Sequence, residues 1–424
     1  MRRANPYRAF LLGAVPLLAL LALLIRSSAL AGLALAFAVL VFRSWRAAHA
    51  RVRGIGVARE VYPSAFEDDV VPVDLVVENR SGRSALLLEV IDAFGPSLAD
   101  RQALLEPGPF PSPRRRRLRY SATCSRGWGS YALGPVRVAA ADSLGLFRAE
   151  RAVGGLDGFA VFPRVYDVQS LRPAGARGSL SPQEATTGRP GQGALYLGVR
   201  EFRPGDALRR VHWPATARRG SPVVKEFERD LVPYSTLFVD LHRRNRAGTG
   251  RKSTFEYLVR AAASLAWSAE RRGELSQLFA EGSQAIFVPP GRGEVHLTQL
   301  LFELIRGRQD GATDLLELVA RHRDALPPGS TTYVVSGTAA LVEGALAEAL
   351  AGLTARGVRP LFLLIDRDSF VPIDRWPLPR EQARRRNAEL AAFLAARGAE
   401  SAVLEAEQDL AEELARPDLF AATA

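Results

Sequence analysis

The sequence predicts a chain of three parts: an N-terminal transmembrane helical hairpin, an all-β sandwich and a mostly parallel α/β sheet. Two apolar runs open the chain, and short strands of alternating polarity follow them. Continuous apolar strands then alternate with amphipathic helices from residue 234 onward. These patterns are typical of membrane spans, sandwiches and α/β domains in that order. The predicted boundaries are 1–53 for the hairpin and its basic flanks, 54–169 for the sandwich, 170–195 for a linker, 196–232 for a highly charged segment and 233–424 for the α/β domain.

Charge and cysteine content exclude several classes of protein. The net charge is +11, but residues 1–53 hold eight arginines and no acid, which leaves +3 for residues 54–424. A nucleic-acid-binding protein would keep a basic remainder, so we predict no nucleic-acid partner. Cys124 is the single cysteine, which excludes an intrachain disulfide and a cysteine-based zinc site. A reducing compartment is therefore expected.

The first element is the hairpin. Residues 9–25 carry no charge, and a second uncharged run covers residues 29–42 after Arg26-Ser27-Ser28. Each run is slightly shorter than the ~20 residues that cross a bilayer as a helix, and bilayer thinning or flanking arginines can compensate. Arginines flank both outer ends, so the positive-inside rule predicts a multi-pass protein with its soluble part in the cytoplasm. The alternatives are a cleaved signal peptide, a single span and a re-entrant loop.

The second element is the sandwich, in which side chains of alternating polarity predict strands near residues 71–77, 85–91 and 131–140. Taken alone, the arginine run 114–117 resembles a nucleic-acid-binding patch. Its continuation alternates, however, with Tyr120 and Cys124 on one face and Arg119 on the other. This pattern favours a strand with one solvated, charged face.

The third element is the α/β domain. Its predicted strands cover residues 234–241, 275–280, 284–288, 331–336, 358–366 and 401–405. Its predicted helices cover residues 254–269, 295–306, 313–326, 340–356 and 381–397. Unbroken apolar strands separated by helices predict a mostly parallel sheet covered on both faces, with one hairpin edge strand.

The most unusual stretch lies between the two soluble domains, where charges of both signs alternate with aromatic residues. Residues 198–219 read GVREFRPGDALRRVHWPATARR, and residues 223–228 read VVKEFE. One interpretation is a salt-bridge layer between domains in which Trp213 is buried. The alternative is a site in which arginines bind a carboxylate or phosphate while His212 handles a proton.

This stretch closely resembles the signature of the bacterial domain of unknown function 58 family. The motifs RGWGSY at 126–131 and DSLGLF at 142–147 also resemble that family, as does the apolar hairpin. The signature residues, whose role is unknown, are Arg200, Glu201, Arg203, Pro204, Gly205, Asp206, Arg209, Arg210, His212, Trp213, Thr216, Ala217, Lys225, Glu226 and Glu228. The resemblance implies a bacterial inner-membrane protein with a von Willebrand factor A-like domain, often encoded beside a MoxR-type AAA+ ATPase. No reaction is established for the family.

The von Willebrand factor A fold implies a magnesium site that this sequence only partly retains. Such a site uses Asp-x-Ser-x-Ser after the first strand, a later Thr and an Asp after the fourth strand. Here the first strand is followed by Asp240-Leu241-His242-Arg243-Arg244, Thr313 stands at the Thr position and Ser336 replaces the second Asp. A hard cation needs several oxygen ligands and is repelled by neighbouring cations. We therefore predict that Asp240, Thr313 and Ser336 form a degenerate site without a metal, in which Arg243 or Arg244 pairs with Asp240.

Other chemical signatures are absent from the sequence. It has no phosphate-binding GxxxxGK[ST], no HExxH and no Gly-x-Ser-x-Gly. We therefore predict an interaction or assembly protein without a cofactor rather than an enzyme. Its A-like domain is expected to dock a protein, for which the resemblance suggests a MoxR-type ATPase. The alternative function is an enzyme or ligand sensor built on the charged residues of 200–228.

Overall fold

The computed structural model describes residues 6–99, 101–106, 108–171, 186–203, 211–230, 233–341, 343–371 and 379–420. It divides the chain into two compact units, Met1–Phe162 and Pro163–Ala424. It is a mixed structure with several sheets, as the sequence predicts. Each unit is described by itself below.

The first unit opens with two helices, α1 (Pro6–Ile25) and α2 (Ser28–Arg53), which pack against each other. Ser27 caps α2, since its side-chain oxygen accepts a hydrogen bond from the Leu30 backbone N–H at 3.4 Å. In the part of the chain that the structure describes, α2 alone is long and apolar enough to be a candidate membrane span, and residues 9–25 form a shorter apolar helix.

Helix α2 is longer than the predicted run of residues 29–42, because nothing between Phe42 and Gly54 breaks it. Its last turns leave the apolar run and pack on the following strands, where Ala48 and Val52 are buried in the core. The Arg51 guanidinium donates to the Ala141 carbonyl at 3.0 Å and to the Ser143 hydroxyl at 2.7 Å. The apolar helix therefore continues without interruption into the core of the first unit.

Ten strands complete the first unit: β1 (Ile55–Glu60), β2 (Ser64–Phe66), β3 (Val70–Asn79), β4 (Leu86–Ala93), β5 (Arg101–Glu106), β6 (Arg114–Thr123), β7 (Gly129–Leu133), β8 (Val136–Ala141), β9 (Arg148–Val153) and β10 (Asp157–Phe162). Within the described ranges they form sheets of order β1-β3-β6, β2-β10-β7 and β5-β4-β8-β9, all antiparallel except for the β2–β10 pair. Leu75, Val90 and Val161 bring the three sheets to one core.

The arginine run lies on β6 with the predicted alternation. Tyr120 and Ala122 are buried, whereas Arg117 and Arg119 are exposed. Arg119 donates to both carboxylate oxygens of Asp74 on β3, at 2.6 and 2.8 Å. Cys124 is buried next to β6, and burial raises the pKa of its thiol to about 11. The run is therefore a charged strand face paired with acids.

The second unit begins with a two-stranded antiparallel sheet of β11 (Thr186–Glu201) and β12 (Val223–Asp230), with helix α3 (Trp213–Arg219) between them. Strand β11 starts within the predicted linker 170–195, of which residues 172–185 lie outside the described residues.

The elements that follow form the α/β domain. Its strands are β13 (Tyr234–Val239), β14 (Gly248–Thr249), β15 (Lys252–Ser253), β16 (Leu275–Glu281), β17 (Ala285–Gly291), β18 (Thr331–Gly337), β19 (Arg359–Ile365) and β20 (Glu400–Leu404). Its helices are α4 (Thr254–Arg271), α5 (Glu294–Arg306), α6 (Leu315–His322), α7 (Glu343–Ala355), α8 (Arg380–Ala395) and α9 (Leu410–Leu414).

The main sheet has the order β17-β16-β13-β18-β19-β20 among the described residues. All its neighbouring pairs are parallel except β16–β17, so the prediction of a mostly parallel sheet with one hairpin edge strand is confirmed. The order is that of doubly wound α/β folds, in which ligands and partners meet the carboxyl ends of the strands.

A buried ion pair in the first unit gives a test of its packing. Arg59 on β1 donates through Nε to Asp92 on β4 at 3.1 Å, and the Tyr120 hydroxyl donates to the same carboxylate at 2.7 Å. Arg59→Met leaves the buried carboxylate without its cation. We expect this to lower the free energy of unfolding of the first unit by about 3–5 kcal/mol. Hydrogen exchange of the β3 and β4 amides in the full chain measures the change.

The double variant Arg59→Met/Asp92→Leu is the matched control. It removes both charges and should recover most of the lost protection, because apolar replacement of a buried pair is often neutral. Equal protection in the single and double variants would contradict the role given to the pair.

Candidate functional site

The carboxyl edge of the main sheet is the candidate site. Parallel strands end at one edge, so the residues that end or follow β13, β16, β18 and β19 lie along it. Four of these residues are polar: Asp240, Glu281, Ser336 and Asp366. The register pairs Val239 with Val335, which places Asp240 and Ser336 side by side.

Asp240 is 2% exposed, and three donors hold its carboxylate. The Ser336 hydroxyl and the Asn245 side-chain N–H each donate to Oδ2 at 2.6 Å, and the His242 backbone N–H donates to Oδ1 at 2.9 Å. Burial raises the pKa of the Asp240 carboxyl, and the hydrogen bonds from Ser336 and the His242 backbone offset part of this rise. The carboxylate is therefore closed off inside the protein.

A tight turn after β13 places the third donor. The His242 ring accepts a hydrogen bond from the Arg244 backbone N–H at 3.0 Å, which begins a 3-10 turn that brings Asn245 beneath Asp240. Gly337 makes room for this amide, since a Cβ there would come within 2.6 Å of the Asn245 Cγ. The turn thus fills the space in which a ligand would reach Asp240.

The expected pairing of Asp240 with Arg243 or Arg244 is wrong. The Arg244 guanidinium pairs with Asp314, which stands before α6. Among the described residues, the groups that donate to Asp240 are the neutral Ser336 hydroxyl, Asn245 amide and His242 backbone N–H. Arg244 contributes to Asp240 only a minor electrostatic lowering of its pKa.

Thr313 lies at the neighbouring strand end. Its hydroxyl donates to Glu281, the last residue of β16, at 2.6 Å, and Arg321 on α6 donates to the other oxygen of that carboxylate at 2.9 Å. The structure therefore brings Asp240 and Ser336 together, whereas the Thr313 hydroxyl donates its hydrogen bond to Glu281.

These residues do not fit a magnesium ion. Magnesium needs oxygen ligands in a near-octahedral arrangement. Here Asn245 Nδ2 and Ser336 Oγ each lie 2.6 Å from Asp240 Oδ2, so the oxygen that would coordinate the ion already accepts two hydrogen bonds. Within the described residues no group of three or more His, Cys, Asp or Glu side chains is arranged to hold a metal.

The signature segment is only partly described. Pro204, Gly205, Asp206, Arg209 and Arg210 lie outside the described residues. The other signature residues lie on β11, α3 and β12 or next to them, and the side chains of Lys225, Glu226 and Glu228 are not described. The ligand-site alternative thus depends on residues that the structure does not place.

His212 caps α3, because its ring nitrogen Nδ1 accepts a hydrogen bond from the Ala215 backbone N–H at 3.1 Å. Thr216 accepts one from the Val223 N–H at 3.1 Å, which ties the helix to β12. Both side chains therefore have structural contacts.

Trp213 is the exception, and the expectation that it is buried is wrong. Its side chain is 67% exposed on α3, whereas the neighbouring Val211 is buried. Helix α3 has only seven residues and lies on a two-stranded sheet, so it offers no core deep enough for an indole.

Sequence reasoning missed two other features of the edge. The sequence does not indicate that Asn245 contacts Asp240, because an asparagine in a turn is common. Asp366 and Asp368 follow β19 and are both buried, and Arg386 on α8 donates to Asp368 at 3.0 Å. A conspicuous Asp-x-Asp after a predicted strand could have indicated this second acidic cluster.

The protonation of Asp240 gives a test. Because burial raises its pKa, the native protein binds this proton more tightly than the unfolded chain does. The stabilising effect of protonation is therefore lost as the pH rises from about 4, the ordinary Asp value, through the raised native value. Asp240→Asn cannot titrate, so the free energy of unfolding of the wild type minus that of this variant should fall across the same window. Hydrogen exchange at a series of pH values measures the difference.

Asp240→Ala is the matched control. It leaves the Ser336 and Asn245 donors without their acceptor and should cost about 1–3 kcal/mol at neutral pH. A wild-type advantage over Asp240→Asn that grows with pH would show that the site stabilises the anion instead.

Comparison with known proteins places the signature in a family. Residues 198–356 match the family model described as "Protein of unknown function DUF58". Two uncharacterized proteins, Mb1516 of Mycobacterium bovis and Rv1480 of Mycobacterium tuberculosis, are 31% identical to this chain over 113 residues. The match covers 26% of this chain and 36% of each relative, so the chain spans about a third of the length of the curated relatives it matches.

Solved structures show weaker likeness. Proximal thread matrix protein 1 from the mussel byssus has a TM-score of 0.30 and 9% identity, over 43% of this chain and 46% of that one. The manganese-loaded TRAP protein of Plasmodium vivax has a TM-score of 0.28 and 14% identity, over 45% and 74%. The CARDB domain of the PF1109 protein from Pyrococcus furiosus has a TM-score of 0.19 and 13% identity, over 25% and 86%. The match to the family model covers residues 198–356, and the matched family, DUF58, is one of unknown function.

Proposed function

We propose that this chain is a membrane-anchored interaction protein whose α/β domain is von Willebrand factor A-like and docks a protein partner at the carboxyl edge of its sheet. The observation that carries the proposal is the closed Asp240 carboxylate, which is held by three donors of the protein itself. The sheet order and the antiparallel edge strand support the A-like assignment. An edge whose central acid is already satisfied can still bind through shape and surface charge.

The ion pairs along this edge suit an exchangeable interface. Arg244 pairs with Asp314 and Arg321 pairs with Glu281, and at least one member of each pair is exposed by more than 40%. Exposed pairs contribute only about 0–1 kcal/mol each. A partner that offers its own acids or arginines can therefore replace them at little cost.

Helices α1 and α2 are proposed as a transmembrane hairpin in the bacterial inner membrane, with the soluble part in the cytoplasm. Arginines at both outer ends support this orientation. Trp45 lies just after the apolar run of α2, with its ring tilted against that of His49 and the ring centroids 4.6 Å apart. Tryptophans at such a boundary are typical of the membrane–water interface.

A MoxR-type AAA+ ATPase is the proposed partner, on the basis of the family resemblance. We expect the full chain in detergent to capture the purified ATPase in an ATP-dependent manner. Arg244→Glu removes a cation from the edge and leaves two acids there, so an acidic group of the partner would meet like charge; capture should weaken about tenfold. Quantitative pull-down at fixed ATPase concentration measures this.

Arg385→Glu is the matched control for charge, because Arg385 is exposed on α8 and pairs with Glu389 on the same helix. It should leave capture unchanged. If the chain does not bind the ATPase with or without ATP, the ATPase is not its partner. If both variants weaken capture equally, the carboxyl edge is not the docking surface.

The absence of a bound cation remains a prediction that calorimetry can test. Titration of the full chain with MgCl₂ or MnCl₂ should give no binding heat, because the Asn245 and Ser336 donors point at Asp240. His242→Ser/Arg244→Ser/Asn245→Ala rebuilds Asp-x-Ser-x-Ser and removes both a nearby cation and the Asn245 donor, so it should gain binding. Tight binding by the wild type would overturn the proposal that this edge works without a metal.

A further inference from the structure

A recess opens beside the N-terminus of α4 in the second unit. Its cavity measures about 510 Å³, which lies within the roughly 300–1,000 Å³ of small-molecule sites. Gly248, Gly250 and Ser253 line it from the β14–β15 hairpin that leads into the helix, and Arg308 and Gln309 line it from the segment after α5. The recess thus combines a glycine-containing turn with the start of a helix, an arrangement in which proteins bind phosphate groups.

Two arginines of this recess keep their guanidinium groups unpaired. Arg246 and Arg308 are both exposed, and within the described part of the chain neither side chain makes a hydrogen bond or an ion pair. Asp310 is the single acid among the described lining residues, and its carboxylate accepts a hydrogen bond from the Ser283 backbone N–H at 2.7 Å. Positive charge therefore dominates the lining, and each free guanidinium can bind two oxygens of one anion.

A buried donor lines the same recess without an acceptor. Gln309 is 5% exposed, and its Oε1 accepts a hydrogen bond from the Thr254 hydroxyl at 3.4 Å. Its Nε2 has no hydrogen-bond partner among the residues that the structure describes. Because buried amide N–H groups are almost always hydrogen-bonded, this one calls for an acceptor. An anion oxygen in the recess supplies it.

The start of α4 adds to the preference for an anion. This helix has 18 residues, so its N-terminus carries a partial positive charge. The acid in its first turn, Glu256, pairs with Arg260 at 3.2 Å and is not one of the lining residues. The helix end thus acts on the recess together with the two arginines.

We propose that this recess binds the phosphate group of a small soluble phosphate ester, which Arg246 and Arg308 hold through their guanidinium groups and Gln309 through its side-chain N–H. A phosphate ester offers three acceptor oxygens and a carboxylate only two, so phosphate matches three separate donors better. Phe255 also lines the recess and provides an apolar wall for the organic part of the ester. The site requires neither a metal nor a protein partner, so it stands apart from the proposed docking at the carboxyl edge.

Calorimetric titration of the full chain in detergent with phenyl phosphate and with benzoate tests the proposal. We expect saturable one-to-one binding of phenyl phosphate and at least tenfold weaker binding of benzoate, which has the same ring and one oxygen fewer. Phosphatidic acid in the micelles should not displace phenyl phosphate. Benzoate binding as tight as that of phenyl phosphate, displacement by the lipid, or no binding of phenyl phosphate at millimolar concentration would each overturn the proposal.

Substitution of the arginines locates the site. Arg246→Gln and Arg308→Gln should each weaken phenyl phosphate binding at least fivefold. Arg292→Gln is the matched control, because Arg292 is also exposed and has no side-chain partner among the described residues. It follows the antiparallel strand β17 and so lies at the opposite edge of the sheet. Its replacement should have no effect, and equal weakening by all three variants would contradict a site at this recess.

Gln309→Leu separates binding from folding. The substitution keeps the size of the side chain and removes an N–H that has no partner, so the melting temperature should not fall. Phenyl phosphate binding should weaken at least threefold, because the phosphate loses one donor. Wild-type affinity in this variant, or a lowered melting temperature without a change in affinity, would show that Gln309 is structural and would overturn its place in the site.

Discussion

The buried carboxylate of Asp240 is the constraint on which the carboxyl edge of the main sheet depends. A carboxylate removed from water must be matched by donors, and here Ser336, Asn245 and the His242 backbone supply them. Because these donors come from the protein itself, the turn after β13 is fixed and Gly337 must stand opposite Asn245. Arg244 pairs with Asp314 instead of Asp240. The buried carboxylate thereby becomes part of the framework of the domain.

Continuity between the apolar helix α2 and the core formed by the strands is the corresponding constraint in the first unit. Helix α2 has 26 residues and is therefore about 39 Å long. Its last turns are fixed by the burial of Ala48 and Val52 and by hydrogen bonds from Arg51 to the strand and loop around Ala141. Because no flexible linker intervenes, a tilt or rotation of the apolar part of α2 must displace the strands on which its end packs.

The sequence predicts the sheets well and the details of the site poorly, for physical reasons. Apolar runs such as those of β13 and β19 are long enough to identify buried parallel strands without further information. The uncharged run of residues 29–42 underestimates α2, which continues to Arg53. Arg43 and Arg46 end the apolar run, but arginine does not end a helix. The sequence cannot predict the partners of Asp240 and Arg244, because they are distant along the chain. Ser336 is 96 residues from Asp240, and Asp314 is 70 residues from Arg244. The exposure of Trp213 depends on how little core a two-stranded sheet provides, which local sequence does not reveal.

The second unit carries two kinds of surface whose energetics differ. Exposed ion pairs along the carboxyl edge contribute little individually, so they determine orientation and partner choice more than affinity. Trp213 offers a large apolar area on a held helix, and removing that area from water is the stronger contribution to affinity.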